Sequence, residues 1–322
     1  MQILFFIGNG FDLNLGLETK YSQFYDNHYV KVNSQKESVK KFKSYLTDEI
    51  PTWADLERTF GEYTEHIKSE SEFDEVFEDI GGELSNYLKK QEKNFNVEKL
   101  DINNFIDCLC FPESRLPRGD RNKLYAFKDR WKSRWFVNII TLNYTETLEK
   151  FLGGNTNNLK LSDYNEKGIY LKGLEHLHGY TDDRMVFGVN DISQLKNSKF
   201  HNNQDILDAV IKIDCNKSLK HTLDDWSIGQ IHAANLICIF GCSIGDTDKF
   251  WWEQIGRRLK DDCMLIIYDT CEAIPSRIAY KKARKEREML QRFLSKTNLS
   301  EDEKNAIKDK IFVGINTEMF KV

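Results

Sequence analysis

The amino-acid sequence predicts an α/β protein with a mostly parallel, doubly wound sheet and a helical insertion. Two observations carry that fold class. Ile3-Leu4-Phe5-Phe6-Ile7 is a continuous apolar run closed by Gly8. Comparable runs recur at Trp135 to Leu142, Leu236 to Phe240 and Met264 to Tyr268, with a weaker one at Ile311 to Val313. Runs without alternation suit strands covered on both faces, as in parallel sheets. Helical patterns such as Phe250 to Leu259 and Ile274 to Phe293 lie between them, and that succession makes a doubly wound sheet.

Residues 21–131 break the alternation. They are rich in Lys, Glu, Phe and Tyr at helical spacing and contain no convincing strand. They are expected to form a helical insertion or cap, leaving 1–20 and 132–322 as the core. Gly153 to Gly168, rich in Asn and Gly, is expected to be a surface loop.

Composition narrows the function classes. With 40% hydrophobic and 30% charged residues, the chain can bury a core and solvate its surface. A net charge of −5 argues against nucleic acid and anionic membranes as partners. The basic stretch Lys281 to Arg287 is interleaved with acids and reads as a solvated helix face. No apolar run approaches the ~20 residues of a membrane span, and no targeting segment is expected. Seven cysteines at 108, 110, 215, 238, 242, 263 and 271 form no C-x-x-C pair. Neither a metal site nor a disulfide framework is expected, and a cytoplasmic location follows.

Four segments carry candidate chemistry. Gly8-Asn9-Gly10-Phe11-Asp12, with Gly16, follows the first strand and departs from G-x-G-x-x-G at Leu13. Its glycines are expected to let backbone N–H groups approach a pyrophosphate, with Asp12 either a ligand contact or a helix cap. Thr141-Leu142-Asn143-Tyr144-Thr145 places polar residues at the carboxyl end of a strand, where α/β sheets bind ligands, unless Asn143 or Thr145 is a helix cap. In His176-Leu177-His178-Gly179, extended spacing would put both imidazoles on one side, with a histidine before glycine suited to general-base work. Gly241-Cys242-Ser243-Ile244-Gly245-Asp246-Thr247-Asp248 could hold a ribose through Ser243 or Asp248, or merely cap a helix. In the insertion, Trp53, Leu56 and Glu57 share a helical face, and Glu57 reads as a solvated or paired carboxylate or an accessory site residue.

Taken in order, the glycine loop, T-x-N-Y, H-x-H-G and G-x-S-x-x-D-x-D resemble the sirtuin-like NAD-binding domains. With Gly16-Leu17 and the Trp53-to-Glu57 segment, they resemble more closely the bacterial AbiH-type phage abortive-infection family. The first resemblance implies a Rossmann-like core that binds NAD as substrate or ligand, with Asn143 and His178 catalytic. It implies contacts from Gly8, Asn9, Gly10, Asp12, Gly16, Thr141, His176, Gly241, Ser243 and Asp248, with Glu57 accessory. The second implies antiviral defence; the two together imply an NAD-hydrolysing effector that releases nicotinamide, acting with a defence partner or as a homo-oligomer. A non-catalytic sensor of ADP-ribose-type nucleotides is the alternative, and a nucleic-acid-directed toxin a weaker third. Asn9 and Thr145 depart from the sirtuin pattern, and the absent four-cysteine zinc module argues against protein deacylation.

Overall fold

A computed structural model describes residues 1–49, 56–96, 101–181 and 183–321. Seven strands form one sheet: β1 (Gln2–Ile7), β2 (Trp135–Thr141), β3 (Leu159–Tyr164), β4 (Lys167–His176), β5 (Leu236–Phe240), β6 (Met264–Asp269) and β7 (Ile311–Ile315). Their order is β3-β4-β2-β1-β5-β6-β7. Every neighbouring pair is parallel except the β3–β4 hairpin. After β1 the chain builds outward through β2 and β4, then crosses back to add β5 on β1's other edge. That reversal is a topological switch point, and α/β sheets bind ligands at such points beyond the strands' carboxyl ends.

The helices before β2 are α1 (Gly10–Asn14), α2 (Tyr21–Asn27), α3 (Glu37–Glu49), α4 (Leu56–Tyr63), α5 (Glu70–Lys93), α6 (Ile102–Cys110) and α7 (Arg118–Lys128). After it come α8 (Thr147–Phe151), α9 (Gln204–Val210), α10 (Lys212–Ser218), α11 (Leu223–Ala233), α12 (Lys249–Arg258), α13 (Tyr280–Lys296) and α14 (Glu301–Ile307). Among the described residues, no helix is long and apolar enough to cross a membrane.

Successive residues of a strand point to opposite faces, and both faces of this sheet are covered. Ile3, Phe5 and Ile7 join a core with Phe105 and Leu109 of α6 and Phe151 of α8. Leu4 and Phe6 join another with Trp251 and Trp252 of α12 and Phe293 of α13. The continuous apolar runs of the central strands follow from this double burial. Cys238 and Cys263 are fully packed within it, and all seven cysteines are free thiols.

Residues 21–131 are helical throughout their described part, yet their packing divides. Helices α2 to α5 form a third core together with Phe187, Val189, Phe200, Ile206 and Val210. Helices α6 and α7 instead send Phe105, Cys108, Leu109 and Leu124 into the sheet's own core. The apolar faces, rather than chain order, decide which layer each helix joins.

The expected surface loop at 153–168 is corrected: it contains β3, paired antiparallel to β4. Asn165 and Glu166 make the turn at φ 47° and 65°, the paired left-handed conformation that a two-residue hairpin needs. The 274–293 helix is also adjusted, since a short 3-10 turn at Ser276–Ile278 precedes α13. The Lys281 to Arg287 run lies on α13, whose apolar side buries Met289, Phe293 and Leu294.

Candidate functional site

A cavity of about 400 Å³ opens at the switch point. Its floor is made by the segments that leave four parallel strands: Gly8 to Asp12 after β1, Leu142 to Thr145 after β2, His178 after β4, and Gly241 to Ser243 after β5. Tyr21 of α2, Glu57 of α4, and Leu84 and Leu88 of α5 close it from the helical side. Trp53, expected to share a face with Glu57, lies outside the described residues.

The two glycine segments serve each other. A Cβ on Gly10 would lie 2.4 Å from the Gly241 Cα, and one on Gly8 would lie 2.8 Å from the Gly241 carbonyl oxygen. Gly241 itself has φ +67°, a conformation L side chains disfavour. The Gly8 amide donates to Phe240 O at 2.9 Å and the Gly10 amide to Gly241 O at 2.8 Å. Those two amides, expected to face a pyrophosphate, are therefore spent on joining the β1 and β5 loops. Asn9, between them, donates from Nδ2 to the Thr19 carbonyl at 2.8 Å and accepts the Thr19 hydroxyl.

Asp12 does not cap a helix. It lies within α1, 1% exposed, and accepts the Thr145 hydroxyl at 2.6 Å and the Thr147 hydroxyl at 2.7 Å. Burial lifts its pKa to about 6 against the two hydroxyl hydrogen bonds. Thr145 is thus bound to Asp12, and α8 begins at Glu146 without a side-chain cap.

Asn143 is 5% exposed and lines the cavity; neither its Oδ1 nor its Nδ2 makes a hydrogen bond of full geometry, though the amide lies close enough to the Asp12 carboxylate to favour its charged form. Leaving a buried amide unpaired costs about 1–3 kcal/mol per group, so such a side chain marks a place where a ligand or water bonds. Its backbone is held firmly: the amide donates to Thr141 Oγ1 at 3.1 Å, and the carbonyl meets His176 Nδ1 at 2.7 Å. The other His176 nitrogen lies 2.7 Å from Glu149 Oε1, and the ring stacks on Tyr180.

The two histidines do not share a side. β4 ends at His176, and a turn follows in which the Gly179 amide donates to the His176 carbonyl. Strand alternation stops there, so His178 lines the cavity while His176 is fully buried beside it. His176 and Thr141 support the wall rather than line it, since Thr141 Oγ1 donates to Ile7 O at 3.0 Å. Gly16 also lies off the cavity, in a groove with Tyr87 and Asn94. It ends α1 at φ +81°.

A cluster absent from the sequence reading completes the wall. Lys212, at the start of α10 and 4% exposed, sends Nζ 2.7 Å from Glu57 Oε2 and 2.9 Å from Asp248 Oδ1. The same Asp248 oxygen lies 3.1 Å from His178 Nε2. Burial opposes the Lys212 ammonium, but the Asp248 and Glu57 carboxylates outweigh it and hold the group above the ordinary lysine range. Burial likewise works against the Asp248 carboxylate, and Lys212 and His178 overcome it, holding Asp248 well below the usual range. Burial and then the Lys212 charge push His178 down. A lysine between apolar neighbours, as in Val210-Ile211-Lys212-Ile213, is the signal that could have exposed it, since a buried ammonium needs carboxylate partners.

Ser243 stands exposed at the cavity. The next residue, Ile244, is buried at φ +52°, costly for a β-branched side chain and of the kind that collects at ligand sites. Asp248 precedes α12 without capping it.

Gly8, Asn9, Gly10, Asp12, Glu57, Asn143, His178, Gly241, Ser243 and Asp248 therefore converge on one cavity, and Gly16, Thr141 and His176 do not line it. A family model described as Bacteriophage abortive infection AbiH matches residues 4–269. The chain belongs to the AbiH family. The match runs from β1 through β6 and so includes the cavity segments up to Asp269. Among curated proteins, none matches this AbiH chain.

Proposed function

We propose that this AbiH-family protein is an abortive-infection effector that hydrolyses NAD in the switch-point cavity, releasing nicotinamide. Asn143 carries the reading: a buried amide without a hydrogen bond of full geometry, facing the cavity with a buried histidine at the carboxyl ends of a parallel sheet. The order of the motifs, similar to that of sirtuin-like NAD-binding domains, supports a dinucleotide in particular.

The chemistry asks little of the protein. As the bond between ribose and nicotinamide breaks, its electron pair leaves with neutral nicotinamide and positive charge builds on the ribose carbon. Water attacks that carbon, and its proton passes to His178. Asn143 orients the water or a ribose hydroxyl through its amide, and the carboxylates of Asp12 and Asp248 favour the developing cation. Burial keeps His178 neutral, so it can accept a proton near neutral pH. The products are nicotinamide and ADP-ribose.

The test is nicotinamide release by purified protein. His178→Ala and Asn143→Ala are each expected to lose ~10²–10⁴-fold in rate. His176→Ala loses less, since His176 does not line the cavity and acts from behind its wall, holding the Asn143 carbonyl. Parental rates in folded His178→Ala would overturn the assignment.

A nucleotide sensor without turnover is favoured by one feature, the 3.1 Å approach of His178 Nε2 to Asp248 instead of to open cavity. Saturable NAD binding in calorimetry with no nicotinamide released would select it.

A further inference from the structure

We infer that Lys212 is a positioning residue: by sharing the Asp248 oxygen that faces His178, its ammonium offsets that carboxylate and keeps the imidazole a neutral base. Two observations meet here. Asp248 Oδ1 receives a hydrogen bond from Lys212 Nζ at 2.9 Å, in a pair whose side chains are 5% and 14% exposed. His178 Nε2 lies 3.1 Å from that same oxygen. The ammonium and the imidazole thus share one acceptor, and the ammonium and the carboxylate act on His178 in opposite directions.

The Leu142 backbone also favours the imidazolium, and the other charged groups nearby are engaged elsewhere. Glu57 on α4 meets Lys212 from the far side at 2.7 Å, with the Tyr21 hydroxyl of α2 at 3.3 Å from its other oxygen. Tyr144 packs its ring near His178, and its hydroxyl donates to Val186 O. Asp12 belongs to the same cavity wall but is taken up by Thr145 and Thr147. Glu149 faces His176 rather than His178. Arg184 and Asp183, on the segment folding back over Gly179, pair with each other.

An Asp–His pair without the lysine would behave differently. A carboxylate within hydrogen-bond reach stabilises imidazolium and moves histidine upward, whereas a nearby cation moves it downward. An imidazolium cannot accept a proton, so without the lysine a larger share of His178 would be protonated at neutral pH. The lysine is in turn held by Glu57, which comes from the helical roof. The roof thereby acts on the protonation state of a floor residue through one side chain.

The catalytic use of this device rests on the NAD-hydrolysis reading, but the proton state does not require turnover. Nitrogen-15 NMR titration of the histidine rings in the ligand-free chain reads it directly, with His178 assigned by loss of its signal in His178→Gln. The parent is expected to titrate below the ordinary histidine value of ~6.5. Lys212→Met is expected to raise the midpoint by about one pH unit or more, and Lys212→Arg to restore it. Asp248→Asn is expected to lower it further, leaving the ammonium as the nearest charge. A parental midpoint at or above the ordinary value, or an unmoved one in Lys212→Met, would overturn the inference. Should Lys212→Met fail to fold, Asp248→Asn decides, and an unchanged midpoint there overturns it. If nicotinamide release is also found, the acid limb of its pH profile moves up in Lys212→Met. Absent release with these titration shifts rejects the enzyme and keeps the positioning role.

Discussion

Asp12 occupies a site where two threonine hydroxyls hold its carboxylate and almost no water reaches it. Its pKa rises from an ordinary 3.8 to about 6 because burial penalises the charged form more than the hydroxyls favour it. The folded state therefore binds the proton more tightly than the unfolded chain. The Asp12 contribution to stability is greatest below the ordinary value, falls as pH climbs towards 6, and is level above it. The change across that window is about 3 kcal/mol. Asp224, also raised to about 6 by burial, adds to the same slope. Urea denaturation of Asp12→Asn against the parent between pH 4 and 6.5 isolates the Asp12 part. The variant is expected to show a shallower decline, and an identical pH dependence would rule out this account. At this scale the sequence showed residue types but not partners. Strand spacing set His176 and His178 on one side, and only the turn after β4 gave one to Glu149 and the other to the cavity.

Between elements, the β1 and β5 loops touch through glycines with no room for a side chain. Gly10→Ala would place a methyl 2.4 Å from the Gly241 Cα, and relieving that clash costs about 1–3 kcal/mol of overpacking. Gly16→Ala meets no atom within 4 Å and only strains φ +81°, worth about 1–2 kcal/mol. Thermal unfolding should therefore show the larger loss for Gly10→Ala when each is compared with the parent, and a coupled rather than additive loss when Gly10→Ala is combined with Gly241→Ala. Additive losses would mean that the loops separate at little cost. The glycines were legible as a loop, but their purpose was not: what read as space for phosphate is space for a second backbone. Strands β1, β2, β5 and β6 were legible because both faces are buried, so their residues are mostly apolar. β3 escaped notice because it sits at the sheet's edge and carries Lys160, Ser162 and Asp163. Its hairpin turns on Asn165-Glu166 instead of the usual asparagine-glycine.

For the whole molecule, a nucleotide in the cavity would touch a floor built from the loops after β1, β2, β4 and β5 and a roof built from α2, α4 and α5. A ligand that joins them stabilises the folded chain by mass action, about 2.7 kcal/mol at a hundredfold excess over Kd. NAD at such excess is expected to raise the unfolding temperature of the parent and to do so less in Asn143→Ala. No rise at any concentration would argue that this cavity does not take the dinucleotide. The sequence by itself determined the buried strands, the helical nature of 21–131, and the polar residues waiting at strand ends, because periodicity and apolar runs are local properties. Only the tertiary structure decided that α6 and α7 belong to the sheet, that Gly10 faces Gly241, and that Lys212 reaches Glu57 and Asp248. Those contacts join residues dozens to hundreds of positions apart, and no local pattern encodes which side chain a buried charge will meet.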